Sequence, residues 1–190
     1  MPTRTPPISL VFLAPLALLS FLAAALLGPG RRAARDGPEP AAGVDLVRLT
    51  GRWYLIARLP TAGPAFGAQV EYRLDGNRLE EVYAAHRDSL AGPLEKTEVQ
   101  ARPDPQAPSR WRIKEGWLRS RDRLLLYVSP GYRRAIVADK HGAWVLAREP
   151  EIPEWSYAGL LARLTVQGYD VSELRRVVQK PIQVGQPGFE

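Results

Sequence analysis

The sequence predicts an all-β domain of eight antiparallel strands followed by a single helix. Two patterns carry this reading. Between residues 51 and 148, short apolar-rich runs are separated by turn signals at the regular spacing of a sandwich or an up-and-down barrel. Within many runs the side chains alternate, as a half-buried strand requires. After Pro153 the period changes to that of a helix.

The elements follow in order. The run "RWYLIARL" ends at Pro60, Gly63 and Pro64. "AQVEYRL" sets Val70, Tyr72 and Leu74 against Gln69, Glu71 and Arg73, then meets Asp75-Gly76-Asn77. That triplet is a hairpin signal because Gly and Asn tolerate positive φ. "RLEEVYAAH" follows, then "LEKTEVQAR" after Gly92-Pro93, and "PDPQAPS" reads as a loop. In "RWRIKEG", Trp111 and Ile113 share one face while Arg110, Arg112 and Lys114 share the other. "DRLLLYVS", "YRRAIVAD" and "AWVLAR" complete the eight, with Pro130-Gly131 and His141-Gly142 at the turns between them. Beyond Pro153, Tyr157, Leu160, Leu161 and Leu164 recur at i, i+3, i+4 and i+7, one apolar helix stripe. Pro153 suits the first turn and Gly168 the stop. Asp170 or Ser172 offers a local cap, and a short strand fits Leu174 to Gln179. The stripe needs a surface to bury itself, and the outside of the sheet is the one available.

The N-terminus is of another kind. Residues 8–27, "ISLVFLAPLALLSFLAAALL", carry no charge, and twenty helical residues span about 30 Å, a bilayer's hydrocarbon core. Arg4 precedes the run, and Ala23 and Ala25 form an A-x-A pattern. Residues 1–28 are therefore either a cleaved signal or a membrane anchor, and both imply export to the cell envelope. Arg31, Arg32 and Arg35 pull the other way, since positive charge favours the cytoplasmic side. Residues 29–43, rich in Gly, Pro, Ala and charge, read as a flexible linker. Residues 44–181 form the domain, and residues 182–190 a Pro/Gly-rich tail.

Composition removes several functions. There is no Cys, hence no disulfide, thiolate zinc site, cysteine nucleophile or lipidated N-terminal cysteine. With only His86 and His141, an all-histidine metal site is not expected, and no cofactor is. The net charge of +6 comes mostly from Arg and reads first as solubilising, second as attraction to anionic membranes. Without a basic helix, RNP-like motif or finger spacing, nucleic acid is not an expected partner. Charged outward faces exclude an outer-membrane barrel.

Three motifs give the barrel a family. Gly51-Arg52-Trp53 opens the first strand as a G-x-W. "SPGYRRAIV" occupies the turn between the sixth and seventh strands, with Tyr132 in place and Pro130-Gly131 where Thr-Asp is usual. Arg148 ends the eighth strand, ninety-five residues after Trp53. Together with the helix and last strand in "EWSYAGLLARLTVQGYDVSELRRVVQ", these resemble a lipocalin, in particular the bacterial and apolipoprotein D-like branch, over residues 44–181. The resemblance implies an eight-stranded up-and-down barrel with the helix packed outside. It departs from many bacterial members in lacking their lipidated Cys, so that residues 8–27 would be the anchor of an attached form.

The resemblance also assigns roles. Trp53 would close the barrel floor with Arg148 crossing beneath it, and Gly51 would let the chain pass close under the barrel. Phased from Trp53, the inward and thus ligand-facing side chains would be Val70, Tyr72, Tyr83, Val99, Ala101, Trp111, Ile113, Leu125, Tyr127, Ile136 and Trp144. A filled core competes with a ligand cavity as the use of these residues. Glu81 and Glu115 also fall on the inward phase, where a hydrated position at the mouth is the first expectation and contact with a lipid head group the second. Trp117 and Leu118, amid Arg119, Arg121 and Arg123, suit either a membrane surface or a local cluster.

Three functions follow. The first is a non-enzymatic lipocalin of the envelope that carries, stores or scavenges a small hydrophobic ligand, a fatty acid or lysophospholipid. Its other partner would be the membrane, through residues 8–27, and a homodimer is left open. The second is a lipid-modifying enzyme, for which His86, Arg87 and Asp88 are the one titratable triplet and no G-x-S-x-G exists. The third is a structural envelope module with a packed barrel.

Overall fold

The computed structural model describes residues 37–59, 65–115, 119–140 and 142–190. The hydrophobic run 8–27, Trp117 and Leu118 lie outside these residues. Among the described residues, no helix is long and apolar enough to cross a membrane.

A one-turn helix α1, Leu46–Leu49, precedes eight strands: β1 Gly51–Arg58, β2 Phe66–Asp75, β3 Arg78–His86, β4 Leu94–Pro103, β5 Arg110–Glu115, β6 Arg119–Val128, β7 Arg134–Asp139 and β8 Gly142–Ala147. The helix α2, Glu154–Val166, and a two-residue strand β9, Arg175–Arg176, follow. Each strand pairs antiparallel with its successor, and β1 closes the ring by pairing with both β8 and β2. The result is the eight-stranded barrel that the sequence predicts, with β9 added beside β1. The helix α1 escapes sequence inspection. It is too short to show a period, and it is held by its cap, Asp45, whose carboxylate accepts from the N–H groups of Val47 and Arg48.

Two apolar clusters sort the side chains. The inner one joins Trp53, Leu55, Tyr72, Leu79, Trp111, Ile113, Leu125, Val137 and Leu146, all fully or nearly fully buried. The outer one holds Ile56, Leu126, Ile136 and Val145 of the barrel wall against Leu160 and Leu164 of α2. The helix stripe thus buries itself on the outside of the sheet, across β1, β6, β7 and β8. Pro153 stands at the N-cap of α2, and Gly168, with φ +89°, lies just past its end. Asp170 caps a short 3-10 turn by accepting from the Ser172 N–H.

Two kinks matter for the site. In β1 the register shifts between Leu55 and Ala57, so Leu55 faces in while Ile56 and Ala57 face α2. In β6 it shifts between Leu125 and Tyr127, where one extra residue is absorbed as a bulge.

Candidate functional site

The barrel floor is built on Gly51. Its φ of +88° is open to glycine at no cost, and a Cβ there would stand 3.4 Å from Nη1 of Arg148. This turn carries Trp53 inward, fully buried, with its indole N–H donating to the Leu49 carbonyl at 2.8 Å. The Arg148 guanidinium lies 3.9 Å from the centre of the Trp53 rings. Its Nη1 donates to the Arg52 carbonyl at 2.8 Å, and its Nη2 to those of Thr50 at 2.8 Å, Arg48 at 3.0 Å and Leu49 at 3.3 Å. Its Nε reaches the Tyr132 carbonyl at 3.3 Å. Tyr132 in turn accepts the Asp45 N–H on its hydroxyl at 2.7 Å. One cation thus gathers the end carbonyls of α1, the start of β1 and the β6–β7 turn under a single indole.

Above the floor, nine of the eleven candidate wall residues belong to the inner cluster: Val70, Tyr72, Tyr83, Val99, Ala101, Trp111, Ile113, Leu125 and Trp144. The Tyr72 and Trp111 rings meet at 5.5 Å, tilted by 59°. Tyr127 and Ile136 are corrections. Both lie in the outer cluster, and the Arg163 guanidinium of α2 covers the Tyr127 ring at 4.1 Å. The bulge is the cause. Leu125 pairs with Val137 but Tyr127 pairs with Ile136, so β6 changes face past Leu125 and β7 is read one residue out of phase.

The same phase correction brings charge indoors. Alternation back from Leu125 turns Arg123 and Arg121 inward, and alternation from Val137 turns Asp139 inward. Glu81, expected at a hydrated mouth, is 2% exposed, and Asp139 is 4% exposed. Arg123 Nη1 donates to Glu81 Oε2, while its Nη2 stands 3.5 Å from Asp139 Oδ2. Arg121 Nη1 lies 3.6 Å from the same oxygen. Arg123 also covers the Trp144 ring at 4.7 Å. Asp139 Oδ1 accepts the Gly142 N–H at 3.2 Å, which ties the cluster to the β7–β8 turn at the end opposite the floor. Burial pushes the Glu81 carboxyl above its ordinary range against the pull of Arg123 and Arg121. Burial, then the Glu81 charge, raises the Tyr72 hydroxyl well above its usual value. Arg123 stays charged, because Glu81, Tyr72 and Asp139 outweigh its own desolvation.

A second, half-buried ion pair sits beside Trp144. Arg58, which pairs across to Trp144, donates from Nε to Glu190 Oε1 at 2.6 Å. Burial raises the Tyr83 hydroxyl against the nearby Arg58. Arg121 and Arg123, read in the sequence beside Trp117 and Leu118 as suited to a membrane surface or a local cluster, stand on β6 paired with Asp139 and Glu81. Strand alternation carried their signal, while the bulge hid that of Asp139, which the sequence reading missed. Glu115 falls on the inward phase, but its side chain is outside what is described. The ring of His86 contacts the Gly92 carbonyl at 2.7 Å and braces the β3–β4 loop. Among the described residues, no group of three or more His, Asp or Glu is gathered as metal ligands.

Known proteins share this architecture. The plant protein temperature-induced lipocalin-1 of Arabidopsis thaliana is 27% identical over 158 aligned residues, covering 74% of this chain and 82% of the relative. Among solved structures, apocrustacyanin C2 superposes with a TM-score of 0.61 at 13% identity, covering 77% of this chain and 91% of that one. Insecticyanin of the tobacco hornworm Manduca sexta gives 0.60 at 16%, covering 76% and 86%. At such identities these two speak for the fold alone. Residues 44–179 match the model of the lipocalin-like domain, and with a floor of Trp53 and Arg148 under a closed eight-stranded barrel, the chain belongs to the lipocalin family.

Proposed function

We propose that the protein is a binding lipocalin of the cell envelope that carries, stores or scavenges a single-chain lipid, of the fatty acid or lysophospholipid class, inside its barrel. The lipocalin fold suits small hydrophobic ligands, and members of the family are in general binding and transport proteins. The observation that carries the reading is the inner wall. Above the sealed floor, Val70, Tyr72, Tyr83, Val99, Ala101, Trp111, Ile113, Leu125 and Trp144 form an apolar and aromatic lining from strands β2, β3, β4, β5, β6 and β8. Such a lining with a few polar groups is what an apolar ligand requires. The envelope assignment rests on the uncharged run 8–27 and on export by cleavage or by anchoring.

Two experiments test this. Titration of the full chain with the neutral fluorophore N-phenyl-1-naphthylamine should show saturable binding that single-chain lipids reverse, and extraction of the purified protein should release such lipids in stoichiometric amount by mass spectrometry. An unsaturable signal and an empty extract would remove the binding reading and leave a packed structural barrel. Recovery of the chain wholly in the cytosolic fraction would remove the envelope assignment.

A further inference from the structure

We infer that the cluster of Glu81, Arg121, Arg123 and Asp139 seats the polar end of the ligand, and that this end is an uncharged group that both donates and accepts hydrogen bonds, a hydroxyl or an amide. The inference rests on the lipid-binding reading above and narrows it to single-chain lipids that carry a hydroxyl or amide at the polar end, which removes the ionised fatty acid named there.

The four side chains come from β3, β6 and β7 and meet in the barrel interior, Glu81 reaching across from β3 to Arg123 of β6; along the strands Tyr72 pairs with Glu81 and Trp111 pairs with Arg123. A buried ionic cluster is a poor stabiliser: apolar residues of equal volume generally do as well or better. Fold stability alone therefore gives little reason for charge at this depth. The cluster is also incomplete. Glu81 Oε1, on a residue 2% exposed, and Arg123 Nε have no hydrogen-bond partner among the described residues. One is an acceptor and the other a donor, and buried polar atoms of this kind are costly to leave unmatched. A hydroxyl or amide supplies both complements at once.

Charge selects against an anion. Arg123 stands against Glu81 and Asp139, Arg121 against Asp139, and Arg58 against Glu190, so these guanidinium groups already face carboxylates. An ionised fatty acid entering here would bring a third carboxylate beside Glu81 and Asp139, where like charges at low dielectric repel strongly. The rings of Trp144, Tyr72 and Trp111 around the cluster accept the apolar remainder of the ligand.

The test uses the full chain with N-phenyl-1-naphthylamine as reporter, displaced at pH 8 by three competitors of one chain length: a monoacylglycerol, which donates and accepts, the fatty acid, which is ionised, and its methyl ester, which only accepts. The monoacylglycerol should displace the reporter at a concentration about tenfold or more below the other two. In the double variant Glu81→Leu with Arg123→Leu, the three displacement concentrations should converge, whatever the variant's own affinity for the reporter. Equal displacement by all three, stronger displacement by the fatty acid, or a preference that survives in the double variant would overturn the inference while leaving lipid binding intact. A reporter that does not bind at all would overturn both. The comparison within the wild-type chain decides the matter even if the double variant does not fold.

Discussion

At the scale of single residues, two side chains in this barrel do opposite kinds of work. Arg148 holds the floor: five donor contacts to backbone carbonyls and a stack on Trp53 converge on one guanidinium. A net hydrogen bond to a charged donor contributes about 1.5–3 kcal/mol and the stack about 0.5–2 kcal/mol, and these do not add. Arg148→Ala should therefore lower unfolding free energy by about 3–5 kcal/mol in urea denaturation. Arg148→Lys should recover only a minor part, since an ammonium cannot span the same acceptors. A loss below about 1 kcal/mol would show the floor to be held by packing alone. Glu81 costs stability instead. Its ordinary pKa is 4.5 and burial raises it in the folded chain. Between the two values the folded chain holds a proton that the unfolded chain has released, so stability falls as pH rises through that window. Below it the group contributes nothing. The groups facing it are Arg121, Arg123, Asp139 and Tyr72. The stability of the wild type minus that of Glu81→Gln should accordingly decline as pH rises from 4.5 and then level off, which thermal melts across pH 4 to 8 would display. A flat difference would mean that Arg123 fully compensates the burial.

At the scale of elements, β6 decides what faces the barrel interior and what faces α2. Inside the regular strands the sequence was a sound guide. Alternation placed Val70, Tyr72, Tyr83, Val99, Ala101, Trp111 and Ile113 on the inner face; in β2 and β5 charged residues mark the outward face. "LLLYV" carries no such mark. Three consecutive leucines are equally content on either side of the wall, and nothing in them says which one is the bulge. The pairing register alone shows it, and with it Tyr127 and Ile136 go out and Asp139 comes in. Glu81 was legible in phase but not in burial. Its partners lie some forty residues away along the chain, and a carboxylate without visible partners is properly expected at the surface. The bulge gives a direct test. Tyr127→Ala should weaken the docking of α2 and cost about 1–2 kcal/mol, through lost contact with Arg163 and the outer cluster, while reporter affinity stays within about twofold. A large change in affinity would return Tyr127 to the inner wall.

At the scale of the whole molecule, the segment after α2 completes the barrel where β1 and β2 part. β1 pairs with β2 only through Gly51–Tyr54, opposite Gln69–Tyr72, and the two strands diverge beyond that point. Residues 177–179 enter the gap. The Val177 N–H donates to the Ile56 carbonyl at 2.9 Å, and the Gly67 N–H donates to the Val178 carbonyl at 2.8 Å. The side-chain amide of Gln179 then bridges the strands, donating to the carbonyls of Leu55 at 2.8 Å and Ala68 at 2.9 Å. Leu55 and Ala68 are buried, so these carbonyls have little access to solvent if the amide is removed. Each buried group left without a partner costs about 1–3 kcal/mol. Gln179→Ala should therefore destabilise the chain by an amount of that order, and the effect should be local. Hydrogen exchange followed by mass spectrometry should accelerate at Gly67 and Val177, next to the gap. The amides around Trp53 and Arg148, held by the separate floor network, should keep their protection. Acceleration spread evenly over all strands would mean instead that the gap and the floor open as one cooperative unit, and that the C-terminal segment is part of the barrel's nucleus of stability rather than a stitch along one seam.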